Sequence, residues 1–134
     1  MEKYISPSGY YELDILESWS YSEEGNIVSF FNEVNGVGAI QISSYSIDKG
    51  LNIDIASELA EILNDKFKET SETFSKISVN NNLANYSFAK DNRYWDYYLL
   101  FKNGKLLFIT YNCEELDKLI EKKVINKIIN SIKL

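Results

Sequence analysis

The sequence predicts an α+β domain in which an antiparallel sheet of about six to seven strands packs as a sandwich with two amphipathic helices. Apolar residues recur with period two over most of the chain, as in strands, and with period 3.6 in two stretches, as in helices. Residues 93–112 form a predicted hairpin that is apolar on both faces, so each face needs cover. The 134 residues suit a single domain spanning 1–134.

Three strands are predicted in the N-terminal part of the chain. Residues 10–16 alternate between apolar and acidic side chains, which is typical of a half-buried strand. Residues 27–31 and 37–45 form the next two predicted strands. Residues 18–25, around Trp19, are predicted to be a polar loop.

Residues 53–67 change to a helical period and predict the first amphipathic helix. Asp54 or Asn52 is placed to act as its N-cap, where a side-chain oxygen accepts hydrogen bonds from the first free backbone N–H groups. The apolar stripe of this helix consists of Ile55, Ala56, Leu59, Ala60, Ile62, Leu63 and Phe67.

Residues 74–112 predict an antiparallel meander of four strands. Strands at 74–79 and 83–89 form one hairpin, and a two-residue turn at Asn103-Gly104 closes the next. A type I′ turn of this kind needs positive φ at both central residues and fixes the register of the strands that it joins. The predicted pairs are Lys102 with Lys105, Phe101 with Leu106, Leu100 with Leu107, Leu99 with Phe108, Tyr98 with Ile109 and Tyr97 with Thr110.

The second helix is predicted to begin near Asn112, because Asn112 and Glu115 resemble a capping box. Its predicted buried stripe consists of Leu116, Leu119, Ile120, Val124, Ile128, Ile129 and Ile132. Its predicted solvated side consists of Lys118, Lys122, Lys123, Lys127 and Lys133.

The motif Gly9-Tyr10-Tyr11, followed by Trp19 and by the strand at 27–31, resembles the start of the PsbP-like fold. That group opens with a Gly-aromatic strand, a short turn into a Trp and a second strand, and its later order of helix, meander and C-terminal helix is similar. The chain departs from the pattern just before Trp19, where Leu16-Glu17-Ser18 stands in place of the usual proline. The resemblance implies an α/β/α sandwich with an antiparallel sheet, and a binding or accessory role rather than an enzymatic one.

The residue inventory predicts no catalytic function, no metal site and no cofactor. Histidine is absent, which removes the commonest general base and metal ligand, and one cysteine is too few for a zinc site. Cys113, at the predicted start of the last helix, is interpreted as a packed residue because no basic neighbour supports a thiolate. Asp91 and Asp96 are interpreted as a turn residue and a solvated strand residue, since nothing fixes the carboxylate separation that glycosidase chemistry needs.

Charge is distributed unevenly along the chain. Residues 1–65 hold twelve acids and two lysines, a net of −10, and residues 66–134 hold eight acids and twelve bases, a net of +4, which sum to −6. An acidic surface repels phosphate, so nucleic acid is not an expected partner. The N-terminus lacks a signal-peptide pattern and no apolar run approaches about 20 residues, so a cytoplasmic protein without membrane contact is expected.

The aromatic outer end of the 93–112 hairpin is the candidate functional site. Tyrosine and tryptophan combine an apolar ring with a polar tip, which suits protein interfaces. Trp95, Tyr97, Tyr111 and Tyr94 are therefore the candidate partner-binding residues. The main hypothesis is a small, non-catalytic protein-binding or accessory domain of a bacterium, with an immunity role as one form of it. The alternatives are a homodimer formed through an apolar sheet face, and a small-molecule-binding protein or enzyme that uses a cavity between helix and sheet.

Overall fold

Nine strands and two α-helices build the described part of the chain, which comprises residues 1–47, 52–67 and 76–134 of the computed structural model. The helices are α1 (Ile55–Phe67) and α2 (Lys122–Asn130), and a 3₁₀ turn (Glu115–Asp117) lies between the last strand and α2. The strands are β1 (Glu2–Ile5), β2 (Glu12–Ile15), β3 (Trp19–Glu24), β4 (Ile27–Asn32), β5 (Gly38–Ser46), β6 (Ser78–Asn80), β7 (Leu83–Lys90), β8 (Arg93–Lys102) and β9 (Lys105–Glu114).

The main sheet is antiparallel and has seven strands in the order β3-β4-β5-β9-β8-β7-β6. The β8–β9 hairpin has the predicted register, with Leu99 opposite Phe108, and Asn103 and Gly104 have φ of 55° and 76°. This confirms the two-residue turn with positive φ at both positions. The predicted α+β class and strand number are confirmed.

β1 and β2 pair with each other in a separate two-stranded sheet. The strand predicted at 10–16 is therefore present as β2, outside the main sheet. It is tied to the C-terminus, because the backbone N–H of Glu12 donates to the carbonyl of Lys133 at 3.0 Å and that of Lys133 donates back at 2.8 Å.

Each face of the main sheet carries its own apolar cluster. We call the face covered by the β1–β2 hairpin and α2 the front face, and the face covered by α1 the back face. Front-face core residues on the strands of the main sheet are Trp19, Val28, Phe30, Ile40, Ile42, Tyr98, Leu100, Leu107, Ile109, Tyr111 and Cys113. The back-face core joins Ile55, Leu59 and Leu63 of α1 to Ala84, Tyr97 and Leu99 of the sheet. The two-sided cover that an apolar hairpin needs is thus present.

The part of the back face away from α1 is mixed, with Ile27, Phe31 and Tyr45 beside a polar row. Ser22, Ser29, Gln41 and Thr110 follow one another across β3, β4, β5 and β9 in a single cross-strand row. A homodimer through an apolar sheet face has little support from this row, because its side chains would bury hydroxyl and amide groups rather than apolar surface.

The polar loop predicted at 18–25 is wrong, since this segment is strand β3. β3 is the edge strand beyond β4, joined to it by a two-residue turn in which Gly25 has φ of 61°. Trp19 is its one buried side chain, and the remaining residues face solvent in whole or in part. An edge strand with mostly polar side chains lacks the apolar alternation by which strands are recognised.

The predicted start of the last helix is also wrong. Asn112 lies within β9, opposite Trp95 on β8 and Ala39 on β5, and the helix begins only at Lys122. The predicted apolar stripe divides accordingly. Ile128 and Ile129 are buried as predicted, and Val124 and Ile132 are half-buried, but Leu116, Leu119 and Ile120 are exposed. Part of the predicted 74–79 strand and the side chain of Phe67 lie outside the described residues.

The N-cap of α1 gives a test of the local helix assignment. The carboxylate of Asp54 accepts hydrogen bonds from the backbone N–H groups of Ala56 and Ser57 at 3.1 and 3.3 Å. Asp54→Ala should therefore lower the free energy of unfolding by about 1 kcal/mol, measured by chemical denaturation. Asp65→Ala, an exposed change in the same helix, should move it by less than about 0.5 kcal/mol. Equal effects of the two substitutions would contradict the cap.

Candidate functional site

The candidate site lies at the end of the main sheet opposite the Asn103-Gly104 turn. β9 continues to Glu114 because it has partners on both sides, with Cys113 opposite Gly38 of β5 and Tyr94 of β8. The chain then leaves the sheet through residues 115–121 and enters α2. These seven residues therefore project from the end of the central strand.

Residues 115–121 present three large apolar side chains to solvent. Leu116, Leu119 and Ile120 are 96%, 70% and 62% exposed. Backbone hydrogen bonds from Lys118 to the Glu115 carbonyl at 3.3 Å and from Ile120 to the Asp117 carbonyl at 3.0 Å give this segment its shape. We call Leu116, Leu119 and Ile120 the apolar knob.

Glu121 anchors the C-terminal end of this segment to the sheet. Its side chain is 5% exposed, and its Oε1 accepts hydrogen bonds from the Tyr111 hydroxyl at 2.8 Å and from the Gly38 backbone N–H at 3.1 Å. No described residue donates to its Oε2. Burial raises the pKa of Tyr111, and the hydrogen bond to Glu121 raises it further, so Tyr111 keeps its proton and remains a donor.

Gly38 makes this anchor sterically possible. A Cβ atom at position 38 would lie 2.4 Å from the Asn112 carbonyl oxygen and 2.7 Å from the Tyr111 hydroxyl oxygen. Both distances are far inside van der Waals contact. Only glycine therefore lets β5 approach Tyr111 closely enough for its backbone N–H to reach Glu121.

A narrow cleft on the front face separates β8 and β9 from α2, beside the knob. Its volume is about 10 Å³. A single water molecule needs about 10–15 Å³ of such volume, so the cleft has room for about one water-sized group. Lys118 and Lys122 are exposed at this cleft, and within the described residues neither takes part in an ion pair. The residues that line it are Tyr94, Asp96, Tyr111, Lys118, Lys122, Ile125 and Asn126.

Asp96 is held by hydrogen bonds within the sheet. Its Oδ1 accepts from the Asn85 amide at 2.8 Å and from the Ser87 hydroxyl, and its Oδ2 accepts from the Tyr98 hydroxyl at 2.6 Å. The residue is 8% exposed. The interpretation of Asp96 as a solvated strand residue is therefore wrong. Asp91 lies in the turn between β7 and β8, where its φ is 54°. Its interpretation as a turn residue is confirmed.

The structure divides the four predicted partner-binding residues between the two faces. Tyr94 and Tyr111 are on the front face at the cleft, with Tyr94 half-buried and Tyr111 buried. Trp95 and Tyr97 are on the back face, where their ring centroids lie 6.2 Å apart and Tyr97 also stacks on Phe108 at 5.7 Å. Tyr111 belongs to the front-face core and Tyr97 to the back-face core. The four residues therefore do not form one surface.

Cys113 is fully buried in β9 rather than placed at the start of a helix. Burial raises the pKa of its thiol, which outweighs the opposing hydrogen bond with Tyr111. The thiol therefore stays protonated near neutral pH, in line with its interpretation as a packed residue.

The knob and Glu121 were not among the predicted site residues, although the sequence holds a signal for them. The period-two alternation of Leu107, Ile109, Tyr111 and Cys113 runs one residue past Asn112, which favours a strand there rather than a helix start. The competing signal is the spacing of Leu116, Leu119 and Ile120, which equals that of a buried helical stripe.

The described residues contain no group of three or more Cys, Asp or Glu side chains arranged to hold a metal ion. Two wider depressions, of about 280 and 380 Å³, lie near the β1–β2 loop and near the C-terminus. Neither depression is lined by a residue of α1 or α2, so neither is the cavity between helix and sheet that a small-molecule-binding protein is expected to use. No helix in the described ranges has the length and apolar character needed to cross a membrane.

No known protein-family model matches this sequence, and no curated protein matches it. Solved structures do. The solution structure of cyanobacterial PsbP (CyanoP) from Synechocystis sp. PCC 6803 matches with a TM-score of 0.65 over 99% of this chain and 91% of that chain, at 12% identity. The chain has a PsbP-like fold. At 12% identity this similarity shows the fold alone. It confirms the PsbP-like fold that the Gly9-Tyr10-Tyr11 segment and the order of elements predict.

Two further structures share the PsbP-like arrangement in whole or in part. A protein from Bacteroides thetaiotaomicron matches with a TM-score of 0.70 at 17% identity, over 98% of this chain and 47% of that one. This chain therefore spans about half the length of that protein. LpqN from Mycobacterium tuberculosis, described as involved in cell envelope biogenesis, matches with a TM-score of 0.52 at 9% identity, over 92% and 82% of the two chains.

The Tyr111–Glu121 hydrogen bond can be tested by removing its donor. Tyr111→Phe leaves a buried carboxylate with the Gly38 N–H as its remaining donor in the described residues, which should lower the free energy of unfolding by about 1–3 kcal/mol. Tyr45→Phe is the matched control, because Tyr45 is 47% exposed. Equal unfolding midpoints for the two variants in urea would rule out the anchor.

The buried tyrosines predict a loss of stability at alkaline pH. Burial raises the pKa of Tyr97 to about 12 and raises those of Tyr98 and Tyr111 as well. Folding thus favours their protonated forms, so this stabilisation is complete below the unfolded value of about 10 and is lost as the pH rises from there past 12. Phenolate absorbance and circular dichroism should change together in that window. Ionisation of every tyrosine near pH 10 with the fold intact would contradict the burial of these rings.

Proposed function

We propose that this PsbP-like domain is a non-catalytic protein-binding or accessory domain and that the apolar knob is its partner-binding surface. The observation that carries the proposal is the exposure of Leu116, Leu119 and Ile120 in one seven-residue segment. Single exposed apolar residues are ordinary on protein surfaces, whereas three within the five residues 116–120 are a local concentration of apolar side chains of the kind found at interaction sites.

Burial of the knob against a partner would release enough free energy to support binding. Burial of a leucine or isoleucine side chain that is otherwise exposed contributes roughly 1.5–3 kcal/mol. Three such residues can therefore supply much of the free energy of a specific interaction, as hot-spot residues do at the centre of many interfaces.

The knob is also preorganised. Backbone hydrogen bonds shape residues 115–121, and the buried side chain of Glu121 fixes the end of the segment to Tyr111 and Gly38. Ordering a loop on binding costs free energy, and a segment already held in one conformation avoids most of that cost. This supports a binding role over an incidental defect of packing.

The back-face residues Trp95 and Tyr97 support the proposal less well. Tyr97 is 2% exposed, so it can contact a partner only if the α1 side of the sheet opens. Tyr94 remains a candidate, since it is half-buried at the cleft beside the knob.

Capture of partners from native lysate tests the proposal. The baits are the wild type, the double variant Leu116→Ser/Leu119→Ser, and Val79→Ser, a control that removes an exposed apolar side chain from β6. Because all three sites are exposed, the variants should keep the wild-type unfolding midpoint. Partners captured by the wild type and by Val79→Ser should be lost from the double variant in quantitative mass spectrometry.

Two outcomes would reject this assignment. Partners lost from Trp95→Ala but retained by the double variant would place the surface on the back face. A wild-type dimer in sedimentation velocity that the double variant converts to a monomer would assign the knob to self-association instead.

A further inference from the structure

The charges around the knob point to the chemistry of its partner. Lys118, Lys122 and Lys123 are all exposed, and within the described residues none of them forms an ion pair. Their ammonium groups each carry three donors and no acceptor. The neighbouring Glu121 offers these lysines no acceptor at the surface, because its carboxylate is buried and its Oε1 accepts from Tyr111 and Gly38.

The cleft beside the knob adds to this donor surplus. The hydroxyl groups that line it do not reverse this surplus: Tyr111 donates to Glu121, and burial raises the pKa of Tyr94, so the Tyr94 hydroxyl keeps its proton and remains a donor. Asp96 is the one carboxylate that lines the cleft, and three donors of the sheet already bind it. Among the described residues that line the cleft, the polar side chains not already bound within the protein are those of Tyr94, Lys118, Lys122 and Asn126. An incoming acceptor with negative charge therefore fits the mouth of the cleft.

We propose that the apolar knob and these lysines bind an acidic, amphipathic segment of a partner protein, with a carboxylate between Lys118 and Lys122 and apolar side chains against Leu119 and Ile120. This inference rests on the proposed protein-binding function and specifies the partner's chemistry. Complementary charges at the edge of an apolar contact mainly set specificity and association rate.

A protein segment fits this surface better than an anionic bilayer. Glu114, Glu115 and Asp117 lie within two residues of Leu116, and Glu114 is exposed while the other two are half-buried. The segment that carries the knob therefore holds acids as well as lysines, and a bilayer with negative charge spread over a wide area gains less from such mixed charge than from a basic patch. A segment of a protein can place its carboxylates at the lysines alone.

Selection from a random-peptide display library against the folded wild-type chain tests this directly. The enriched peptides should combine apolar residues with Asp or Glu. Lys118→Glu/Lys122→Glu should weaken their binding by about tenfold or more in fluorescence anisotropy, and the binding should weaken with added salt. Lys102→Glu is the control, because it makes the same lysine-to-glutamate change at an exposed site near the opposite end of the sheet. It should leave affinity unchanged, and all variants should keep the wild-type unfolding midpoint.

Several results would overturn the inference. These are no enrichment above a blank selection, enrichment of basic or neutral peptides, and peptide affinities that are insensitive to Lys118→Glu/Lys122→Glu. Binding of the wild type to phosphatidylglycerol vesicles that is lost with Leu116→Ser/Leu119→Ser would assign the surface to lipid. If native partners are lost with Leu116→Ser/Leu119→Ser but retained with the lysine variant, the proposed function stands and the acidic partner does not.

Discussion

The pairing of β8 with β9 around Asn103-Gly104 is the constraint on which the rest of the structure depends. The turn fixes the register, and the register decides which side chains face front and which face back. Both sets are apolar, so the hairpin can exist only with cover on each side. α1 supplies that cover on the back face, and α2 with the β1–β2 hairpin supplies it on the front.

The same pairing explains why the knob is exposed. β9 has β5 on one side and β8 on the other, and it is paired as far as Cys113 with β5 and as far as Glu114 with β8. A helix started at Asn112 would give up these ladder bonds. The helix therefore begins later, and the front face receives Ile125, Ile128 and Ile129 instead of Leu116 and Leu119. The buried side chain of Glu121 holds the end of residues 115–121 against the sheet through its hydrogen bonds from Tyr111 and Gly38.

Local chemistry made much of this fold predictable. The Asn103-Gly104 turn, the Asp54 cap and the strand and helix periods each act within a few residues, and the structure has them where the sequence indicates. β3 was missed because an edge strand needs no apolar alternation. The predicted start of the last helix is wrong because two local signals compete there: the helical spacing of Leu116, Leu119 and Ile120, and the period-two alternation that ends at Cys113. The long-range pairing of β9 with β5 and β8 decides between them, and local spacing alone does not reveal that pairing, so the candidate site follows from the structure.

The central claim is that residues 112–114 belong to a strand and that the next residues form an ordered, solvent-facing turn. Nuclear magnetic resonance with a soluble paramagnetic agent measures both properties in one sample. The structure predicts strand chemical shifts through Glu114 and strong paramagnetic broadening of the methyl groups of Leu116, Leu119 and Ile120, with Ile128 protected. Helical shifts from Asn112 onward, together with protected Leu116 and Leu119 methyl groups, would contradict the account.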